Sequence, residues 1–273
     1  MPPPRRPEQN LAGWRVLVPR SGPWAERVAT MLEERGARAV IVPLIAYEPP
    51  ADRGPLDRAL ERLACGAYDW VVVTSAATAD VLAADTPAAE RARVPATTRF
   101  AAVGEASADA LRARGFEVAY VPRGEASAHN LVESWQADVG ALAPARILVL
   151  QSNLALDSLG ERLQELGHAV DVAVAYRTVE RPLDPTIVQS VQAGGIDAVL
   201  VTSGSVARAI VHRLGPLPSS TVVASIGSRT SAEAHDAGLR VHLTAPIRDM
   251  EALVSALEAY APRRTSESKV TTP

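Results

Sequence analysis

Short apolar runs alternate along the chain with stretches of helical periodicity. The runs are "RVLVP", "WVVVT", "FAAVG", "RILVL", "AVLVT" and "VVASI", rich in β-branched residues and apolar throughout rather than at every second position. Runs of that length and composition predict strands buried on both faces. The intervening segments, such as "ERVATMLEERG" and "DSLGERLQELG", repeat their apolar positions every three to four residues, which predicts amphipathic helices. Several close on a glycine (Gly36, Gly115, Gly167, Gly238), the residue that most readily takes the left-handed conformation ending a helix. Fully apolar strands alternating with helices predict parallel sheets covered on both faces, an α/β fold.

The pattern also repeats. Asp69 to Ala79 aligns with Asp197 to Ala207 without a gap, placing Thr74-Ser75 on Thr202-Ser203. "FAAVGEASADALRARGFEV" aligns with "VASIGSRTSAEAHDAGLRV", placing Gly104 on Gly227, Ser107 on Thr230 and Gly115 on Gly238. The segment Trp14 to Glu48 resembles Ala145 to Glu180, with Ser21 on Ser152 and Gly36 on Gly167. Each copy of that segment ends in an extended stretch carrying a tyrosine, Tyr47 or Tyr176. The chain therefore reads a, b, a′, b′. The unit is too long for a solenoid, so two doubly wound parallel-sheet domains related by internal duplication are expected. Contiguity alone pairs a with b and a′ with b′.

Composition narrows the function. The formal net charge is −3 and the cationic residues are dispersed, which excludes a nucleic-acid footprint. Segments such as "EERGAR" read as solvated helix faces. Cys65 is the one cysteine; it closes a helical pattern and reads as a small core residue. The five histidines are scattered without metal-ligand spacing, and His168 and His235 read as surface residues near helix ends. The N-terminus has no apolar run and no stretch reaches membrane-spanning length, so a soluble, cytoplasmic protein is expected. Residues 1–13 and the polar tail 261–273 read as disordered.

Candidate chemistry sits at the strand ends. In parallel α/β sheets ligands bind beyond the carboxyl ends of the strands. Here those ends carry Arg20-Ser21, Thr74-Ser75-Ala76, Gly104, Gln151-Ser152, Thr202-Ser203-Gly204-Ser205 and Gly227, each before a helix. Ser107, Ser127 and Thr230 belong to the first turns or starts of such helices. A helix start exposes unpaired N–H groups and a partial positive charge that attract anions. Capping alone explains any one of these residues. Six such ends in two copies predict a cleft of backbone donors suited to an elongated ligand bearing many carboxylates. No phosphate-binding loop, dinucleotide fingerprint or nucleophile elbow occurs. Catalysis would rest on positioning and backbone electrostatics.

At these residues the chain resembles the uroporphyrinogen-III synthase family. The resemblance runs from about Trp14 to Ala259 through "VLVPR", "VTSAATADVL", "FAAVGEASADAL", "VAYRTVE", "VLVTSGSVARAI" and "ASIGSRTSAEAHDAGL". It is carried by the order of the pieces. The resemblance implies conversion of hydroxymethylbilane to uroporphyrinogen III, with inversion of the last pyrrole ring through a spiro intermediate and no cofactor or metal. It implies a monomer and a linear tetrapyrrole as ligand, with channelling from hydroxymethylbilane synthase and no nucleic-acid or membrane partner. It also implies a different topology, with one domain of residues 14–44 plus 183–260 and another of 49–173. The two-stranded linker, 45–48 and 174–182, would act as a hinge. Tyr176 falls on a tyrosine the family usually has and is the candidate proton donor to the departing hydroxyl; its alternative is packing at the linker. Tyr47 reads as structural. Arg20 matches a family arginine, with an ion pair to a helix acid as its alternative. The segment "LQSNLALDSLG" departs from the family by lacking a basic residue. Other readings are a two-lobed small-molecule sensor and a non-catalytic relative of the synthase; the retained Tyr176 and Thr-Ser pairs argue against the latter.

Overall fold

The computed structural model describes residues 10–267 apart from 86–93, 125, 139–143 and 156–157. The chain forms two compact units, residues 1–46 with 180–273, and residues 47–179.

The first unit is built on β1 (Arg15–Val18), β2 (Arg38–Ile41), β9 (Ala198–Val201), β10 (Val222–Ser225) and β11 (Leu243–Thr244), in the order β11-β10-β9-β1-β2. These strands pair in parallel, with Val16 opposite Ala198 and Val222 opposite Ala198 on the other side. Helices α1 (Pro23–Glu34), α7 (Pro185–Gln192), α8 (Gly204–Leu214), α9 (Ser228–Asp236) and α10 (Met250–Glu267) belong to this unit. Alternate residues of one strand feed opposite cores. Val16 and Val18 pack with Val28, Leu32 and Leu257, whereas Leu17 packs with Val199, Ile210 and Leu214.

The second unit contains β4 (Trp70–Val73), β5 (Arg99–Ala102), β6 (Val118–Tyr120), β7 (Arg146–Ser152) and β8 (Ala169–Glu180). With β3 (Ile45–Glu48) these strands form a sheet of order β3-β8-β7-β4-β5-β6. The pairs β4–β5, β4–β7, β5–β6 and β7–β8 are parallel. Helices α2 (Gly54–Ala64), α3 (Ala76–Asp85), α4 (Glu105–Arg112), α5 (Ala128–Asp138) and α6 (Ser158–Glu165) belong here. Val71 and Val73 face one core with Phe100 and Leu150; Trp70 and Val72 face the other with Trp135 and Leu131.

The two sheets have the same layout. Strand β9 takes the place of β4, β10 that of β5, β1 that of β7 and β2 that of β8. Strand β1, from a, therefore pairs with β9, from b′, and not with b. The repeat extends to hydrogen bonds at the amino ends of the strands. Asp69 accepts the backbone N–H of Arg146 at 2.8 Å, and Asp197 that of Arg15 at 2.9 Å. Thr98 donates to the Tyr68 carbonyl and Thr221 to that of Ile196. The four expected helix-closing glycines, Gly36, Gly115, Gly167 and Gly238, all have φ between 82° and 89°.

Several expectations change. Cys65 is exposed: it caps the end of α2, one position past the last turn, where Leu63 already faces the core. His168 is buried, its Nδ1 accepting the Ala145 N–H at 3.2 Å. Arg35, in "EERGAR", is no solvated residue; its guanidinium binds Glu258 and Glu251 of α10. Leu11 is fully buried and its N–H donates to the Arg35 carbonyl, so order reaches into 10–13. Helix α10 runs to Glu267, past the expected end at Tyr260. The remainder of both expected tails, 1–9 and 268–273, lies outside the described residues.

Burial lowers the pKa of His168 below its ordinary 6.5. Side-chain and backbone hydrogen bonds from Arg146 hold Asp69 below 3.8. In both cases protonation favours the unfolded chain. The stability tied to His168 is present above pH 6.5 and is lost on acidification from there down through its folded pKa; that tied to Asp69 is lost only below 3.8. Unit 47–179 should therefore lose stability as the pH falls below 6.5, by at most about 1.4 kcal/mol per pH unit for one proton. His168→Gln should flatten that part of a denaturant-melt series; an unchanged slope would contradict the assignment.

Candidate functional site

In each sheet the strand order reverses between two central parallel strands, β1 beside β9 and β4 beside β7. The crevice beyond the carboxyl ends at such a point is where ligands bind in open α/β sheets.

In the second unit the ends of β4, β7 and β8 bring Thr74, Ser75, Ser152 and Tyr176 together. Thr74 is tied down: its N–H and hydroxyl both donate to the Leu150 carbonyl, at 3.3 and 3.4 Å. Ser75 opens α3, its hydroxyl accepting the Thr78 N–H at 3.3 Å. The same oxygen lies 3.1 Å from the Thr78 hydroxyl and 2.9 Å from the Tyr176 phenol. Tyr176 reaches it because the β7–β8 register shifts by one residue: Gln151 faces Val174, but Ser152 faces Tyr176. Such a shift re-aims a side chain. Ala175 and Tyr176, consecutive residues, consequently pack into the same core. The phenol ring is 6% exposed and meets Tyr47 edge-on at 5.0 Å. Tyr47 is 48% exposed. The Arg177 guanidinium fastens β8 to the end of β3 through Glu48 (2.9 Å) and the Pro49 carbonyl (3.2 Å).

The segment without a basic residue is held from the other side. Asn153 donates its N–H to the Tyr176 carbonyl at 3.1 Å and accepts the Thr178 N–H on its side-chain oxygen at 2.8 Å. The Ser152 hydroxyl accepts the Leu154 N–H at 3.3 Å. Asn153 and Thr78 thus clamp the backbone and hydroxyl around Tyr176. Thr78 was legible as the third residue after a capping serine; Asn153 stands where a basic residue was missed.

In the first unit Thr202, Ser203, Gly204 and Ser205 follow β9. Ser203 caps α8 by accepting the Val206 N–H at 3.3 Å, and its hydroxyl lies 2.9 Å from that of Ser205. Thr202 is 6% exposed, and its hydroxyl is buried with no hydrogen-bond partner. Its repeat partner Thr74 is bonded, so the two copies differ here. After β1, Arg20 lies over the Trp24 ring at 5.3 Å, a cation–π contact in place of the ion pair given as its alternative. Ser21 is exposed beside Gly22, whose φ of 78° lets Pro23 start α1. Gly227 precedes α9; its carbonyl accepts the hydroxyls of Ser225 and Ser231.

Other predicted positions are packed. A Cβ on Gly104 would strike Ala126, and one on Gly204 would strike Glu233. Ser107 and Thr230 are buried on α4 and α9. Ser127 is buried and caps α5 through the Asn130 N–H at 3.1 Å. Ala76 is exposed at the start of α3. Among the described residues no group of three or more His, Cys, Asp or Glu is placed to hold a metal ion, and no helix is long and apolar enough to cross a membrane.

A sequence model described as uroporphyrinogen-III synthase HemD matches residues 26–255. The chain belongs to the uroporphyrinogen-III synthase family. The synthase of Synechococcus elongatus is 26% identical over 269 residues, covering 94% of this chain and 99% of that protein. The synthase fold is shared as well. A mutant uroporphyrinogen III synthase from Thermus thermophilus has a TM-score of 0.63 at 16% identity, over 92% of this chain and 100% of that one. The enzyme from Helicobacter pylori has a TM-score of 0.60 at 16% identity, over 91% and 99%.

Proposed function

We propose that the chain is a lyase of tetrapyrrole biosynthesis that closes hydroxymethylbilane into uroporphyrinogen III with loss of water. Family membership supports the reaction. The observation that carries the chemistry is the Tyr176 phenol, 2.9 Å from the Ser75 hydroxyl at the switch point of the second sheet.

The substrate carries acetate and propionate groups around its length. Helix starts in each unit, α3 in the second and α1, α8 and α9 in the first, offer N–H donors for such carboxylates with dipoles already oriented. Tyr176 donates its proton to the departing hydroxyl, so the C–O bond breaks and water leaves while the pyrrole supplies the electron pair. The Ser75 O–H then donates to the phenolate. The phenol is restored by the proton released from carbon when the closed ring regains aromaticity, so the enzyme ends unchanged. The extended stretches in β3 and β8 connect the two units and are the hinge of this reading.

Thr202 tests the binding half of this reading. A buried hydroxyl without a partner costs about 1–3 kcal/mol, and a substrate carboxylate or carbonyl would satisfy it. Thr202→Val keeps the shape. It should raise folding stability while raising KM, with kcat nearly unchanged; a loss of stability in a denaturant melt would contradict the assignment. Activity itself is tested by consumption of hydroxymethylbilane. Its disappearance should accelerate in proportion to added chain, and a rate equal to spontaneous closure would overturn the proposal.

A further inference from the structure

The duplication leaves an equivalent groove at the amino end of each sheet, and the two grooves are finished differently. In the second unit the groove is lined by Arg58, Arg62, Tyr68 and Asp171, with Pro55, Ala59 and Val172. Its charges are matched internally. Asp171 accepts the Tyr68 phenol at 2.6 Å and pairs with Arg62 at 2.5 Å. Arg146, which opens β7, pairs with Asp69 at 3.0 Å.

In the first unit the repeat places Ser190 on Arg62, Ile196 on Tyr68, Val40 on Asp171 and Arg15 on Arg146. The corresponding cavity, about 200 Å³, is lined by Arg15, Ser190, Leu17, Val40, Val191 and Ile196 together with residues of the α7 start. Its internal carboxylate is gone. Asp197 is retained, but among the described residues it accepts the backbone N–H of Arg15 and no side chain. Asp184 is occupied by the N–H and hydroxyl of Thr186, both at 2.8 Å. Among the described residues no carboxylate pairs with the Arg15 guanidinium, and its Nε is buried without a hydrogen-bond partner.

One residue explains the divergence. Gly195 occupies the turn position of Ala67: the Gly195 N–H donates to the Ser190 carbonyl at 2.8 Å as the Ala67 N–H does to that of Arg62 at 2.9 Å. A Cβ at Gly195 would lie 3.0 Å from Arg15 Nη1 and 2.6 Å from the Ser190 hydroxyl oxygen. Ala67 has that Cβ, and its arginine turns to its aspartate. Gly195 lacks it, and the guanidinium occupies the vacated space.

The geometry points to a binding site for a small monocarboxylate with a short apolar tail in the groove of the first unit. The carboxylate replaces the missing internal acid, accepting from Arg15 and the Ser190 hydroxyl. The tail lies on Val40 and Ile187, the half-buried apolar residues of the lining. A buried guanidinium nitrogen without an acceptor is costly, and an anion offers charge-assisted hydrogen bonds. This site is at the opposite end of the sheet from the strand ends assigned to the tetrapyrrole, and it stands whether or not that assignment does.

Equilibrium dialysis of the full chain against radiolabelled butyrate, at constant ionic strength in chloride, tests it. One equivalent should bind saturably. Acetate should compete about 10-fold more weakly, since each CH₂ buried contributes about 0.8 kcal/mol. Gly195→Ala, which restores the side chain of the other copy, and Arg15→Gln should each weaken binding at least 10-fold, with far-UV circular dichroism unchanged. Arg146→Gln, the counterpart of Arg15 in the other unit, should leave it intact. Absence of saturable butyrate binding, or equal binding by the Gly195→Ala and Arg15→Gln chains, would overturn the proposal; should one variant fail to fold, the other decides.

Discussion

Tyr176→Phe should lower kcat by about 100-fold, the lower end of what a positioned proton donor contributes, and should leave KM within about a factor of three, since the proposed role places the phenol on the leaving group and not on substrate carboxylates. The ring remains, so its packing into the core and its edge contact with Tyr47 are kept. What is lost is the hydrogen bond to Ser75, worth about 1 kcal/mol of stability. Steady-state kinetics beside a denaturant melt separates the two effects. A kcat unchanged within twofold, with the small stability loss present, would make Tyr176 a packing residue of β8. Ser75→Ala offers an internal comparison. It removes a helix cap, costing about 1 kcal/mol, and leaves the phenol in place without the Ser75 hydroxyl, so its effect on kcat should be the smaller.

The largest stability change expected is that of Trp135→Ala, about 3–5 kcal/mol for an aromatic removed from a core. Trp135 is fully buried on α5, with Trp70 edge-on at 4.8 Å, Tyr120 at 5.5 Å and His168 at 6.5 Å. At about 2–4 °C per kcal/mol for a unit of this size the melting of residues 47–179 should drop by roughly 10–15 °C. The indole nitrogens of Trp135 and Trp70 are both buried without a hydrogen-bond partner. Trp135→Phe should therefore recover much of the loss, because it removes an unsatisfied donor along with some volume. The strand ends lie on other elements, so kcat per folded molecule should survive in both variants. A shift below about 3 °C for Trp135→Ala, the effect of only 1 kcal/mol, would contradict the packing assigned to α5.

The elements of this fold were legible because the apolar runs are continuous. "WVVV" and "AVLV" are central strands, every residue buried, and no amphipathic pattern could produce them. The strand ends were legible as places, since a parallel sheet puts its ligand there. Their details were not. Ser75 and Ser203 are aligned by the repeat and both cap helices, yet only Ser75 meets a phenol. That contact depends on a one-residue register shift between β7 and β8, which no local pattern announces. Thr74 and Thr202 are likewise aligned, and one hydroxyl is bonded while the other is not. Residues that depend on long-range partners were misread for the same reason. His168 reads as a surface residue until Ala145, 23 positions away, supplies its N–H. Arg35 reads as a solvated charge until α10 closes over it.

The central claim is that this chain directs ring closure with inversion of the last pyrrole. The direct measurement is chromatographic separation of the uroporphyrinogen isomers formed from hydroxymethylbilane in the presence of the purified chain. The account predicts the type III isomer, with its share falling toward that of spontaneous closure in Tyr176→Phe. Type I isomer alone, at any protein concentration, would contradict it.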